Sequence, residues 1–278
     1  MTYAELRPRE VLSQPDKMLK PYKKFLASEK FDGWRGLWDG KTLRTKRGKR
    51  TFRLPGEWKK LLPAGQPLDG EVYIHGKPAT TVASLLNGPS NPLWQKATYR
   101  VFDIPSSSAG VFRERVKRYT SEVKKACARS PRGKKACPVK AVRQTPAGSP
   151  AALLRRYRQV LAKQGEGLVL TDPASKYVHS RVGKSVRVKL KGRNDKEAVV
   201  AGYRLGSDGV LRSLKVHLPG QPAKPFYLGT GLKKADRRQD RFRKLFPQGT
   251  LVKYSYEKEF PSGLPRHPRF VGVRHRSE

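Results

Sequence analysis

Along the first two thirds of the chain, apolar residues alternate with polar ones over short stretches broken by turn residues. Residues 34–38 and 41–47 flank Asp39-Gly40 and predict a hairpin. Residues 70–75, 98–104, 167–171 and 185–191 carry the same period of two and predict further strands. Apolar positions three and four apart predict helices over 80–86, 111–126 and 151–162. Between 129 and 150, Pro, Gly, Ser, Lys and Arg surround a short apolar centre, which predicts surface loops flanking at most one short strand.

The pattern changes after Lys191-Gly192-Arg193-Asn194-Asp195. Short strands are predicted over 197–203, 211–218, 226–229, 251–256 and 270–274, with one helix near 235–245. So many short strands around one helix suit a small Greek-key barrel of the oligonucleotide-binding type. The chain therefore divides into an α+β domain of antiparallel sheets with helices, residues 1–193, and an all-β barrel, residues 194–278. The stretch Leu218-Pro219-Gly220-Gln221-Pro222-Ala223-Lys224-Pro225 predicts a tight connection within the barrel rather than an inserted lobe.

Charge narrows the partners. Lys and Arg number 61 against 22 Asp and Glu, a formal net charge of +39 in 278 residues, and a surplus of that size calls for an extended polyanion. Nucleic acid fits. A membrane does not, because no long apolar run or basic amphipathic helix carries the charge. A hydrophobic content of 36% with four tryptophans supplies enough apolar surface to fold. Cys127 and Cys137 have no His or Cys neighbours at metal-ligand spacing, so two free thiols are expected, with a disulfide in an oxidising compartment as the alternative. The start, Met1-Thr2-Tyr3-Ala4-Glu5-Leu6, lacks a basic and an apolar leader segment, so cytoplasm or nucleoid is the expected location; a periplasmic leader already removed would leave no trace.

Lys30-Phe31-Asp32-Gly33 matches the K-x-D-G pattern of covalent nucleotidyltransferases, a signal too short to stand alone. Four more segments follow in a matching order: Leu68-Asp69-Gly70-Glu71, Tyr99-Arg100-Val101-Phe102-Asp103, Gly165-Glu166-Gly167-Leu168-Val169-Leu170 and Val186-Arg187-Val188-Lys189-Leu190-Lys191. Each has a bland reading as surface acid, core aromatic or polar strand face. Together, at strand ends of a strongly basic chain, they do not.

On these residues the chain resembles the smallest ATP-dependent DNA ligases, those of chlorella viruses and of bacterial accessory type. Leu228-Gly229-Thr230-Gly231-Leu232 and the run from Pro265 to His275 extend the resemblance into the second domain. It implies a nucleotidyltransferase domain followed by an oligonucleotide-binding barrel, ATP as nucleotide, Mg²⁺ or Mn²⁺ as metal, nicked duplex DNA as partner and a monomer. It implies Lys30 as the nucleophile that carries AMP, with Asp32 assisting AMP transfer and Lys189 and Lys191 acting on the phosphates. Glu29 is placed in the nucleotide site, Glu71 on the ribose and Phe102 stacked on adenine. Glu166 holds the metal or the nucleophile, and Glu71 is a second metal candidate. Arg35 and Lys46 stand at the nick-phosphate positions, Lys46 replacing an arginine and so losing the bidentate fork. Arg44 and Arg47 are further DNA candidates, as are Arg266 and Arg274 in the barrel. The ending Arg274-His275-Arg276-Ser277-Glu278 departs from the family's terminal motif.

An RNA ligase or an mRNA guanylyltransferase uses the same lysine chemistry and is the nearest alternative. A non-catalytic nucleic-acid-binding protein would use the barrel and charge alone, and leaves the ordered motifs unexplained.

Overall fold

The computed structural model describes residues 4–6, 8–46, 48–131, 133–178, 186–260 and 262–274. The chain clusters into two compact units, Met1–Lys191 and Gly192–Glu278.

The first unit holds two sheets. One has six strands in the order Thr51–Phe52, Leu43–Thr45, Trp34–Trp38, Leu68–Ile74, Ala97–Asp103, Val139–Ala141. The other has five, in the order Ala4–Leu6, Arg187–Lys191, Gly167–Thr171, Leu26–Lys30, Thr145–Pro146. Both are antiparallel except at one edge each, where Ala4–Leu6 runs parallel to Arg187–Lys191 and Val139–Ala141 parallel to Ala97–Asp103. Side-chain alternation explains why these segments bury one face. Ala97, Tyr99, Val101 and Asp103 turn inward, which leaves Phe102 on the opposite face. Val188 and Leu190 are fully buried with Leu168 and Leu170 while Lys189 and Lys191 turn the other way. Each such buried aliphatic contributes about 1.5–3 kcal/mol.

The helix Phe112–Ala128 buries Phe112, Arg115, Tyr119, Val123 and Ala126, a stripe at helical spacing. It packs on the strands Ala97–Asp103 and Val139–Ala141. That packing brings Cys127 and Cys137 together as a disulfide, with Cα atoms 5.4 Å apart. The expectation of two free thiols is thereby corrected.

In the second unit one antiparallel sheet runs in the order Gln221–Leu228, Leu211–Leu218, Asn194–Leu205, Leu251–Tyr256, Arg269–Val273. Phe242 and Phe246, from the helix Gln239–Leu245 and its end, close its core against Leu214, Val216 and Val252. Among the described residues no ladder joins the two edge strands, but Phe270 N–H donates to Thr230 O at 2.8 Å. Gly231 makes that approach feasible: its φ is +99°, and a Cβ there would sit 2.2 Å from Phe270 O.

Several boundaries differ from expectation. The strand expected from 226 begins at Gln221, because Pro219-Gly220 form a tight turn that pairs Leu218 with Gln221. Residues 129–150 form two short strands, Val139–Ala141 and Thr145–Pro146, instead of at most one; each borrows its order from a neighbouring sheet edge. The helix expected over 80–86 ends at Ala83 and continues as a tighter 3₁₀ turn, Ser84–Asn87. The helix expected near 235–245 breaks at Arg238, whose ψ of 144° is extended. Ala4–Leu6 and Thr51–Phe52 are strands that patterning missed. Ser185, Arg47 and residues 275–278 lie outside the described residues.

Candidate active site

Lys30 ends its strand directly opposite Gly167, and Gly167 lies opposite Lys191 on the other side. The two lysines are thus separated by one glycine. A side chain at 167 would collide with the backbone, since its Cβ would lie 2.0 Å from Leu190 O at a φ of +139°. The residue before it, Glu166, is 8% exposed and bridges the pair, its carboxylate 2.5 Å from Lys30 Nζ and 2.9 Å from Lys191 Nζ. Two cations held by one buried carboxylate make a compact, hydrogen-bonded cluster. Lys189, two residues before Lys191 and on the same face, pairs with Glu5 at 3.1 Å.

The six-stranded sheet supplies the other wall. Arg35 lies opposite Glu71 on the neighbouring strand. Asp69 grips the Arg35 guanidinium with both carboxylate oxygens, and Tyr177 donates to Asp69 at 3.0 Å. The same guanidinium lies 5.7 Å from the centre of the Phe102 ring. Glu71 is half-buried, and burial pushes its carboxyl up to about 8; the Lys30 charge opposes the shift and the Glu166 charge adds to it.

Between the two walls is a cleft of about 270 Å³. Of the residues expected to matter, Glu29, Lys30, Arg35, Lys46, Glu71, Phe102, Lys189 and Lys191 line it. Glu166 lies buried against its lysines, and Asp32 is half-buried two residues beyond Lys30. Arg44 shares a face with Arg35, because it opposes Leu37 across the hairpin, but it is exposed and pairs with Asp39 at 3.1 Å. Arg47 is outside the described residues. Arg266 and Arg274 belong to the second unit: Arg266 sits in a two-residue ladder opposite Lys258, and Arg274 pairs with Glu197 at 2.6 Å. Among the described residues no group of three His, Cys, Asp or Glu is placed to hold a metal.

Sequence reasoning quoted Asp69, Asp103 and Arg187 inside motifs but assigned them nothing. Asp103 is fully buried between Arg115, at 2.7 Å, and Arg187, at 2.8 Å. Arg187 also donates to Thr171 at 2.9 Å, and both of these residues line the cleft. An inward acid on an otherwise apolar strand face was the available signal. Val142 and Gln144, from the stretch expected to be surface loop, line the cleft too.

Known proteins resemble this chain in sequence and fold. Residues 206–274 match the family described as DNA ligase OB-like domain. A DNA ligase of Haemophilus influenzae is 26% identical over 247 residues, covering 89% of this chain and 85% of that protein. A solved structure from a structure–function study of Lig E DNA ligases superposes with a TM-score of 0.75 at 26% identity, covering 99% of this chain and all of the other. Along nearly its whole length the chain is similar to minimal DNA ligases. A chlorella virus DNA ligase-adenylate structure shares this fold at a TM-score of 0.51 and 24% identity, covering 98% of this chain and 97% of that one. The matched family segment falls wholly within the unit Gly192–Glu278. No helix among the described residues is long and apolar enough to cross a membrane.

Proposed function

We propose that this protein is an ATP-dependent DNA ligase that seals nicks between a 3′-hydroxyl and a 5′-phosphate in duplex DNA, with Lys30 as the covalent nucleotide carrier. One observation carries the reading: a lysine at the cleft edge sits hydrogen-bonded to Glu166 at 2.5 Å, beside two further lysines on one strand face. An amine attacks only with its lone pair free, and Glu166 is within reach to accept the proton. The nitrogen then attacks the α-phosphorus of ATP, a P–N bond forms, and the bond to the bridging oxygen breaks as pyrophosphate leaves. Lys189 and Lys191 balance the charge that builds on the leaving phosphates. Phe102 and Val169 offer apolar surface for the base, and Arg35 is aimed by Asp69 toward the cleft where a 5′-phosphate would receive AMP. Lys46 joins it as a second cation, and Asp32 assists that transfer.

Glu166 and Glu71 would hold a divalent cation such as Mg²⁺: burial first, and the Glu166 charge after it, disfavour ionisation of Glu71, and a cation would relieve both. The chemistry such an ion would supply is neutralisation of phosphate charge. Arg44, Arg47, Arg266 and Arg274 serve the DNA, and the protein acts as a monomer. The surplus of positive charge supports a nucleic-acid substrate over the small acceptors other nucleotidyl carriers use.

The test is intact-protein mass spectrometry after incubation with ATP and Mg²⁺. The wild type is expected to gain one AMP, and nicked duplex DNA to remove it with sealing of the nick; Lys30→Ala gains none. An acid-labile AMP adduct on Lys30→Ala refutes the nucleophile, and an adduct that only GTP forms points to a capping enzyme.

A further inference from the structure

Across the cleft from the lysines, Arg35 is aimed by groups that do not themselves line the cleft. Asp69 opposes Leu37 on the neighbouring strand, so it shares a face with Arg35, two residues away. Its carboxylate holds the Nε and Nη2 side of the guanidinium, which fixes the plane of that group. Asp69 is fully buried, and a buried carboxylate needs its donors in place. A further donor is the Tyr177 hydroxyl, 3.0 Å from Oδ2. The same hydroxyl oxygen lies 3.4 Å from Arg35 Nη2, so Tyr177 touches both partners of the ion pair. Burial, and the Asp69 charge after it, push this hydroxyl well above its usual range, so it stays protonated and donates.

Tyr177 reaches Asp69 on a loop that is itself held. After the strand Gly167–Thr171, Asp172 Oδ1 accepts from the Ala174 N–H at 3.0 Å, and Asp172 O accepts from the Ser175 hydroxyl at 2.7 Å. Ser175 O accepts from the Phe112 N–H at 2.8 Å and from Arg115 at 2.9 Å, which pins the loop to the start of the helix Phe112–Ala128. The Arg115 guanidinium, held by Asp103 at 2.7 Å, lies 5.8 Å from the centre of the Tyr177 ring. One segment, 166–177, therefore holds Lys30 through Glu166 at its start and Arg35 through Tyr177 and Asp69 at its end. It ties the five-stranded sheet to the six-stranded one.

We propose that Tyr177 is a positioning residue for AMP transfer: its hydroxyl holds Asp69, and through Asp69 the Arg35 guanidinium, in the orientation that receives the 5′-phosphate of a nick. In that step a 5′-phosphate oxygen attacks the phosphorus of the lysine-bound AMP, the P–N bond breaks, and the lysine nitrogen takes a proton, with Glu166 in reach to return it. Without the hydroxyl a buried carboxylate is short of one donor, its grip on the guanidinium loosens, and the cation spends less time aimed at the phosphate. The Lys30 cluster keeps its own contacts, so formation of the lysine adduct is spared. This rests on reading Arg35 as the contact of the 5′-phosphate in a ligase.

The experiment uses the full chain and Tyr177→Phe, which removes the hydroxyl and keeps the ring. Two single-turnover rates are measured: adduct formation on Lys30 with ATP and Mg²⁺, and transfer of AMP from the adenylated enzyme to the 5′-phosphate of nicked duplex DNA. Adduct formation is expected at the wild-type rate, and transfer slower by about 10- to 100-fold, the effect of losing one hydrogen bond to a charged group. Arg35→Gln slows transfer at least as much, and adding Tyr177→Phe to it changes nothing further, because the hydroxyl acts through the guanidinium. Wild-type transfer by Tyr177→Phe overturns the proposal. So does an equal slowing of both steps, which is what a merely structural role gives, and so do losses that add in the double variant. An Arg35→Gln protein with wild-type transfer overturns the phosphate role of Arg35 and the proposal with it. A wild type that forms the adduct but passes no AMP to nicked DNA overturns the ligase reading itself.

Discussion

Asp103 is the residue whose removal should most disturb the first unit. Its carboxylate is fully buried, accepts from Arg115 Nε at 2.7 Å and Arg187 Nη2 at 2.8 Å, and also from the Ile104 N–H at 2.9 Å. Asp103→Ala leaves two guanidinium groups buried without their shared anion. Breaking such an arrangement costs about 3–5 kcal/mol. Arg115 retains Gly110 O and Ser175 O, at 2.8 and 2.9 Å, and Arg187 retains Thr171, so neither cation is stripped completely and the upper end is a ceiling. For a unit of this size each kcal/mol lowers Tm by about 2–4 °C, which gives a fall of about 6–20 °C. Differential scanning calorimetry on the full chain is the assay, because separate transitions report the two units and that of Gly192–Glu278 should stay in place. The triple variant Asp103→Leu, Arg115→Met, Arg187→Met should recover most of the loss, since an apolar set of similar volume leaves no buried charge. A loss under about 1 kcal/mol in Asp103→Ala, or a triple variant less stable than the single, would falsify the argument that unpaired buried cations are what destabilise it.

Lys189→Ala should slow formation of the lysine adduct by about 10²–10³, the typical effect of losing one preorganised electrostatic contact; a near wild-type single-turnover rate with ATP contradicts its place at the phosphates. Glu71 binds its proton more tightly folded than unfolded, with a pKa about 8 against 4.5, so its burden on stability is absent below about pH 4.5 and grows as pH rises to 8. Urea titrations of Glu71→Gln and wild type should therefore diverge in the variant's favour between pH 5 and 8, and parallel profiles count against the shift. Reducing Cys127–Cys137 reopens a loop with a sequence separation of 10, which costs about 3 kcal/mol in the chain-entropy account; an unchanged Tm in dithiothreitol, with reduction verified by thiol titration, refutes a stabilising role.

Much of the lining of the candidate site was legible in the chain because its motifs are local. Lys30, Glu71, Phe102, Glu166, Lys189 and Lys191 each sit within a strand or just beside one, inside a short motif. Alternation alone says that Lys189 and Lys191 share a face opposite Val188 and Leu190. Trp34–Trp38, Gly167–Thr171, Leu211–Leu218 and Leu251–Tyr256 were placed to the residue, because runs rich in strand-forming residues were bounded by turn and loop residues. What tertiary structure decided is everything that depends on a partner distant in sequence. Thr145–Pro146 is a strand only because Leu26–Lys30 lies beside it, and the same pairing carries Gln144 into the cleft. Ala4–Leu6 has no pattern of its own, yet it brings Glu5 to Lys189. The disulfide needed a helix packed on a strand to bring its two cysteines within reach. Periodicity reports how a segment meets its nearest solvent or core boundary; it says nothing about which edge it will borrow or which charge it will bury. For that reason Asp103, an acid on a core-facing position, was read only once Arg115 and Arg187 stood on either side of it.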